Sequence, residues 1–192
     1  MTFKTFAGIT AAGMLALVVA GCSGPSAEEL MNRAQSKHTD AQHILDSLKR
    51  KADPVELFAP VVAAYEQIAE KFPTSEQSEQ ALFKAAELRT QYLNDVPGSV
   101  ALYKRYAEAF PAAAKAPTAL FMVGYLYNNA LLKPDSAAIA YKHFLELYPQ
   151  NELATSAQFE LQSIGKKPEE LIPEPVPSDV RSASSKKTGA AH

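Results

Sequence analysis

The chain has 192 residues, 47% hydrophobic and 21% charged, with a formal net charge of −2 and one cysteine. That balance is globular rather than disordered, leaves room for one ordinary domain with tails, sets up no basic field for nucleic acid or an anionic membrane, and allows no internal disulfide. Past residue 25 only Gly98, Gly124, Gly165 and Gly189 remain, so phosphate-cradling loops of the GxGxxG or Walker kind are absent.

At the N-terminus, Lys4 precedes an apolar run from Phe6 to Ala20 broken only by Thr10. The run falls short of the roughly 20 residues a membrane span needs and suits the core of a secretory signal over 1–21. It ends in Val19-Ala20-Gly21-Cys22, which resembles the lipobox of bacterial lipoproteins. The resemblance implies cleavage before Cys22, diacylglycerol on its thiol and an acyl chain on the new amino group. The alternative is ordinary cleavage after a small residue, with Cys22 left as a free thiol. Several acyl chains anchor firmly where one holds only marginally. Ser23 in place of Asp implies, by the enterobacterial sorting rule, retention at the outer membrane on its periplasmic side. Residues 22–25 then form a short linker, its last three residues reaching about 10 Å at most.

Ser26-Ala27-Glu28-Glu29 reads as a capping box. Leu30, Ala34, Ala41, Leu45 and Leu48 carry an apolar stripe to about Arg50, Asp53-Pro54 breaks it, and a second helix runs on to Phe72. Residues 26–72 thus form a degenerate opening pair.

From there one phrase recurs. Tyr65, Tyr103 and Tyr141 lie 38 residues apart, as do Phe72-Pro73, Phe110-Pro111 and Tyr148-Pro149. Ala81, Ala119 and Ala157 keep the step, with Phe83, Phe121 and Phe159, and with Glu70, Glu108 and Glu146. Within a copy, Tyr65, Ile68, Ala69 and Phe72 make one helical stripe, which proline closes. Thr74-Ser75 and Asn151 are the expected N-caps of the next helix. That helix carries Ala81, Leu82, Phe83 and Ala86, or Ala119, Leu120, Val123 and Gly124. Val96-Pro97-Gly98 and Pro134-Asp135-Ser136 are expected in the turns that follow. A lone helix pair cannot bury its own stripe, so the copies must stack.

Ala119, Phe121, Gly124 and Tyr127, then Ala137, Tyr141, Phe144 and Tyr148-Pro149, resemble the tetratricopeptide repeat. The YP or FP ending is the variety found in outer-membrane assembly and Tol–Pal-associated periplasmic proteins. The resemblance covers roughly residues 41–165 and implies an all-α, right-handed α-solenoid of antiparallel helix pairs over 26–165, with flexible ends. The 38-residue period exceeds the usual length of about 34, the excess being expected in the turn before the second helix. Residues 166–192 are rich in Pro and Ser, lack aromatics and cannot bury enough to fold; residues 172–177 read as a solvated spacer or a partner ligand.

The chemistry is sparse. His38 and His43 lie about 140° apart on a helix, and Asp40, His43 and Asp46 read as a wet face rather than a metal site. His143 takes the place of Arg105 and Gln67, a variable surface position. Glu70, Glu108 and Glu146 belong to the tiling. No nucleophile elbow or converging acid–base pair is visible, so no enzyme activity, metal, cofactor (apart from lipid on Cys22), nucleic acid or small-molecule substrate is expected. Function must lie where copies differ. By the family pattern the groove-facing residues are Glu87, Thr90 and Gln91 in one copy and Tyr125, Asn128 and Asn129 in the next, able to hydrogen-bond a peptide. The expected role is a lipid-anchored adaptor binding protein partners in outer-membrane β-barrel assembly or envelope maintenance. The alternatives are a Tol–Pal or division-associated scaffold, or a carrier of outer-membrane clients.

Overall fold

A computed structural model describes residues 24–48 and 51–166. The expected signal over 1–21, Cys22 and residues 167–192 of the expected tail lie outside them.

The described residues form seven helices: α1 (Ala27–Leu48), α2 (Pro54–Lys71), α3 (Glu76–Tyr92), α4 (Val96–Ala109), α5 (Ala116–Asn129), α6 (Pro134–Leu147) and α7 (Ala154–Ser163). Each packs against its neighbours in sequence. This is an all-α, tetratricopeptide-like solenoid, with α3, α5 and α7 as first helices of the copies and α2, α4 and α6 as second helices.

Identical local chemistry makes identical junctions. Phe72, Phe110 and Tyr148 cap α2, α4 and α6 with nearly the same backbone angles, φ −134°, −130° and −129°. Their N–H groups donate to the carbonyls of Ile68, Tyr106 and Phe144 at 2.9, 2.9 and 2.8 Å. The prolines that follow cannot extend these helices. Three residues after each cap a turn closes again, from Ser75, Ala113 and Asn151 to the cap carbonyls. The connections from first to second helix agree too: Asn94 and Leu132, one step apart, both take φ 51°.

The capping box forms, with Ser26 N–H donating to Glu29 Oε2 at 2.9 Å and Glu29 N–H to Ser26 Oγ at 3.2 Å. Ser75 Oγ caps α3 by accepting from Ser78 N–H at 3.1 Å. Several local expectations are corrected. Asn151 does not cap α7: its Oδ1 accepts from Leu153 N–H inside the preceding turn, and α7 begins at Ala154. Val96-Pro97-Gly98 and Pro134-Asp135-Ser136 are not turns but the first residues of α4 and α6. A proline in the first helical turn loses no hydrogen bond, because that N–H has no partner there. The turns before α4 and α6 are short, 93–95 and 130–133, and the longer connections are 110–115 and 148–153 before the first helices. The described part of α1 runs to Leu48, with Leu45 half-buried and Leu48 exposed; residues 49–50 lie outside the described residues.

The core is the aromatic stripe the repeat foretold. Tyr65, Tyr103, Tyr106, Tyr141 and Phe144 are buried, as is Phe83. Phe83 meets Tyr103 and Tyr106 edge-on at 5.4 and 5.3 Å, and Phe121 meets Tyr141 at 5.5 Å. The three repeated phenylalanines nonetheless differ in burial. Phe83 is buried, Phe121 is half-buried and Phe159 is 58% exposed, because among the described residues no second helix follows α7 to cover it.

Two buried serines hold helices together. Ser78 Oγ donates within reach of the Phe72 and Ile68 carbonyls, at 2.5 and 3.1 Å, satisfying the end of α2. Ser99 Oγ donates to the Ala86 carbonyl at 2.7 Å, tying α4 to α3.

Candidate docking surface

The residues expected to face a groove lie on α3 and α5. Glu87, Thr90 and Gln91 line one cavity of about 550 Å³, together with Lys84 and Phe83 of α3, Tyr103 of α4, and Thr118 and Met122 of α5. The helical period explains the set. Lys84, Glu87 and Gln91 follow at i, i+3 and i+7, so they share one stripe opposite Leu82 and Ala86, which are buried.

The polar groups here differ in availability. Thr90 is not free to hold a ligand: its Oγ1 donates to Ser99 Oγ at 2.7 Å, and Ser99 in turn binds the Ala86 carbonyl. Lys84 Nζ pairs with Glu87 Oε2 at 2.5 Å on a partly exposed surface, where such a pair contributes little and exchanges easily. Gln91 donates only to the hydroxyl of Tyr92. Burial and then the nearby Glu87 raise the Tyr103 phenol well above its ordinary range, so it faces the cavity as a neutral hydroxyl.

The second trio does not line that cavity. Tyr125 is 43% exposed. Asn128 Nδ2 donates to Glu160 Oε2 at 3.3 Å, bridging α5 to α7, and Asn129 Nδ2 donates to the Tyr125 carbonyl at 3.1 Å. The six residues therefore form two adjoining patches along the first helices. The sequence reading missed Lys84, Met122 and Glu160. They share the 38-residue step, one turn before Glu87 and Tyr125, and that shared register was the available signal.

His38, unlike the exposed Asp40, His43 and Asp46, lies off the wet face of α1. Its ring lies edge-on to Phe58 and Tyr65, at 5.9 and 6.2 Å, and its Nε2 is buried without a partner. It takes the place against Tyr65 that Phe83 takes against Tyr103. Twenty residues separate Phe83 from Tyr103 and Phe121 from Tyr141, but twenty-seven separate His38 from Tyr65. The opening pair is longer, so its register with the other copies could not be read from spacing. His43, His143, Glu70, Glu108 and Glu146 are exposed. Among the described residues no group of three His, Cys, Asp or Glu side chains is placed to hold a metal ion, and no helix is long and apolar enough to cross a membrane.

Residues 118–151 match the family model of the tetratricopeptide repeat. The match spans the end of one first helix's opening turn through α6 to the Tyr148-Pro149 junction, the stretch in which the repeat residues are most complete. No curated protein matches the chain. The chain thus carries a tetratricopeptide repeat within a solenoid of like units, an architecture associated with binding other proteins.

Proposed function

We propose that this protein is a non-catalytic adaptor, lipid-anchored through Cys22 on the periplasmic side of the outer membrane, which holds a protein partner on its first-helix face during β-barrel assembly or envelope maintenance. The observation that carries the binding role is the contrast between shared and unshared positions. Packing residues recur from copy to copy, whereas the exposed stripe changes from Lys84, Glu87 and Gln91 to Met122, Tyr125 and Asn129. Tiling needs sameness, and recognition needs difference. A mixed face with a neutral tyrosine hydroxyl, a weakly held Lys–Glu pair and the exposed Gln91 amide suits an extended or helical peptide read by several hydrogen bonds and one apolar anchor. Support for the anchor is the lipobox-like Val19-Ala20-Gly21-Cys22 and its lone cysteine.

Two experiments test this. Crosslinking in intact cells followed by affinity purification is expected to recover a stoichiometric envelope partner, lost in a Glu87→Lys/Tyr125→Ala double variant that still folds. A heterogeneous set of clients would favour a carrier instead, and capture unaffected by the double variant would remove the first-helix face from the account. For the anchor, Cys22→Ala is expected to move the protein from the membrane fraction to the soluble one; unchanged fractionation defeats lipidation as the tether.

A further inference from the structure

The face opposite the first helices carries a second feature that the adaptor reading does not use. Successive second helices leave a groove between them, and the two grooves in the array are finished differently. Between α2 and α4 the groove is spanned by Arg105, whose Nη2 donates to the Ala69 carbonyl at 2.8 Å, and along its floor Arg89 Nε of α3 donates to Glu66 Oε1 of α2 at 2.7 Å. One step later, between α4 and α6, Arg105 is replaced by the shorter His143, and the Glu66–Arg89 ion pair by the contact of Lys104 Nζ with the Tyr127 hydroxyl at 3.2 Å, while Tyr148 Oη donates to the Pro111 carbonyl at 3.3 Å at one end of the groove. Ala101 and Ala109, exposed and small, become Ile139 and Leu147, exposed at 70% and 53%. A cavity of about 490 Å³ results, with Leu120 and Val123 in its lining beside Tyr127, Tyr148, Ile139 and Leu147. Large apolar side chains standing in water around a groove, where the sister copy has alanine, are an addition to the repeat and not part of its packing.

We propose that this groove is the docking site of the chain's own residues 171–177, Leu-Ile-Pro-Glu-Pro-Val-Pro. Position favours this segment. The described chain ends at Lys166, just past α7, which packs on α6, one wall of the groove. Five residues of extended chain reach about 17 Å, more than the roughly 10 Å diameter of the helix to be crossed. Residues 167–192 therefore supply ample length. Chemistry favours it too. Proline-rich segments lie in grooves lined by aromatic rings, with little ordering entropy to lose, and Tyr127 and Tyr148 provide the rings. Glu174, between two prolines, matches Lys104 in the lining, where Glu108 is the one acid. A short tether sets an effective concentration in the millimolar range, so an intrinsically weak contact is enough to close the groove. The segment would cover the second-helix face until a competing ligand displaced it.

The test uses the full-length chain with the photoreactive residue benzoylphenylalanine at position 176. Irradiation at low protein concentration is expected to give crosslinks within one chain to α6 and α4 around Ile139 and Leu147. Ile139→Asp or Leu147→Asp, both at exposed sites and each checked for an unchanged melting curve, is expected to cut that yield about tenfold, as one decade in a docking equilibrium. Mixed isotope-labelled chains yielding hybrid crosslinks would assign the groove to a second copy and overturn the proposal. Crosslinks confined to α7 near Phe159, or a yield indifferent to both aspartates, would overturn it equally.

Discussion

The ring of Tyr141 lies so close over Gly124 that a β-carbon on the glycine would stand 2.7 Å from Cε1 and 2.8 Å from Cδ1. The preceding copy has Ala86 at the same step, so glycine serves this one contact and not the repeat in general. Tyr141 is fully buried and has little room to retreat. Gly124→Ala gains about 1 kcal/mol of helix propensity and loses more to overpacking, which typically costs about 1–3 kcal/mol. A net loss of roughly 1 kcal/mol is expected in urea melts. A midpoint that rises would show that the ring yields.

The three repeated phenylalanines make an internal dilution series. Phe83→Ala removes a buried ring in contact with Tyr103 and Tyr106 and is expected to cost about 3–5 kcal/mol. Phe121→Ala, at a half-buried site, should cost roughly half as much on the same area argument. Phe159→Ala should fall within about 0.5 kcal/mol of the parent, as exposed substitutions do. Equal losses at all three in chemical denaturation would mean that Phe159 is covered in solution.

His38 makes stability depend on pH. Burial, and then the charge of Lys84, lower its pKa below the ordinary value, while Glu87 opposes them. The folded protein therefore resists protonation that the unfolded chain accepts near pH 6.5. The stabilisation is complete above that pH and is lost as pH falls from it through the lowered folded value. His38→Phe, which restores the ring found against Tyr103 and Tyr141, is expected to flatten this part of the pH–stability curve. An identical slope in the variant would place the titration elsewhere.

Leu132 takes φ 51° with its side chain 77% exposed. Left-handed backbone costs a non-glycine residue about 1–2 kcal/mol, and here no packing offsets it. Asn94, in the same place one copy earlier, suffers less because asparagine tolerates this region. Leu132→Gly is expected to raise stability by about 0.5–1 kcal/mol after the entropy of the unfolded glycine is counted. A drop in melting temperature would reveal a contact for the leucine.

Much of this protein was legible because its repeat has one constant step. A fixed 38-residue interval locates Tyr65, Tyr103 and Tyr141 on equivalent faces, and the Phe-Pro or Tyr-Pro pairs mark where helices must stop. These are local and periodic constraints, so composition and spacing are enough to carry them. Where the step breaks, the reading broke as well: seven added residues in the opening pair hid the placement of His38 against Tyr65. The proline-containing stretches at 96–98 and 134–136 were misplaced because the same residues suit a turn or the first turn of a helix.

The amino-acid sequence by itself determined the tiling, the C-terminal ends of α2, α4 and α6 and the aromatic core, since each depends on residues within about one repeat of one another. Only the tertiary structure decided which exposed residues are free. Thr90 is consumed by Ser99, and Asn128 reaches Glu160, thirty-two residues away. Arg105 ties α4 to α2 through Ala69, while Ile139 and Leu147 flank the next groove, bridged at its end by Tyr148 and Pro111. Such outcomes depend on side chains brought together by stacking, and no period along the chain encodes whether a neighbour will be an arginine that bridges or a histidine that stops short.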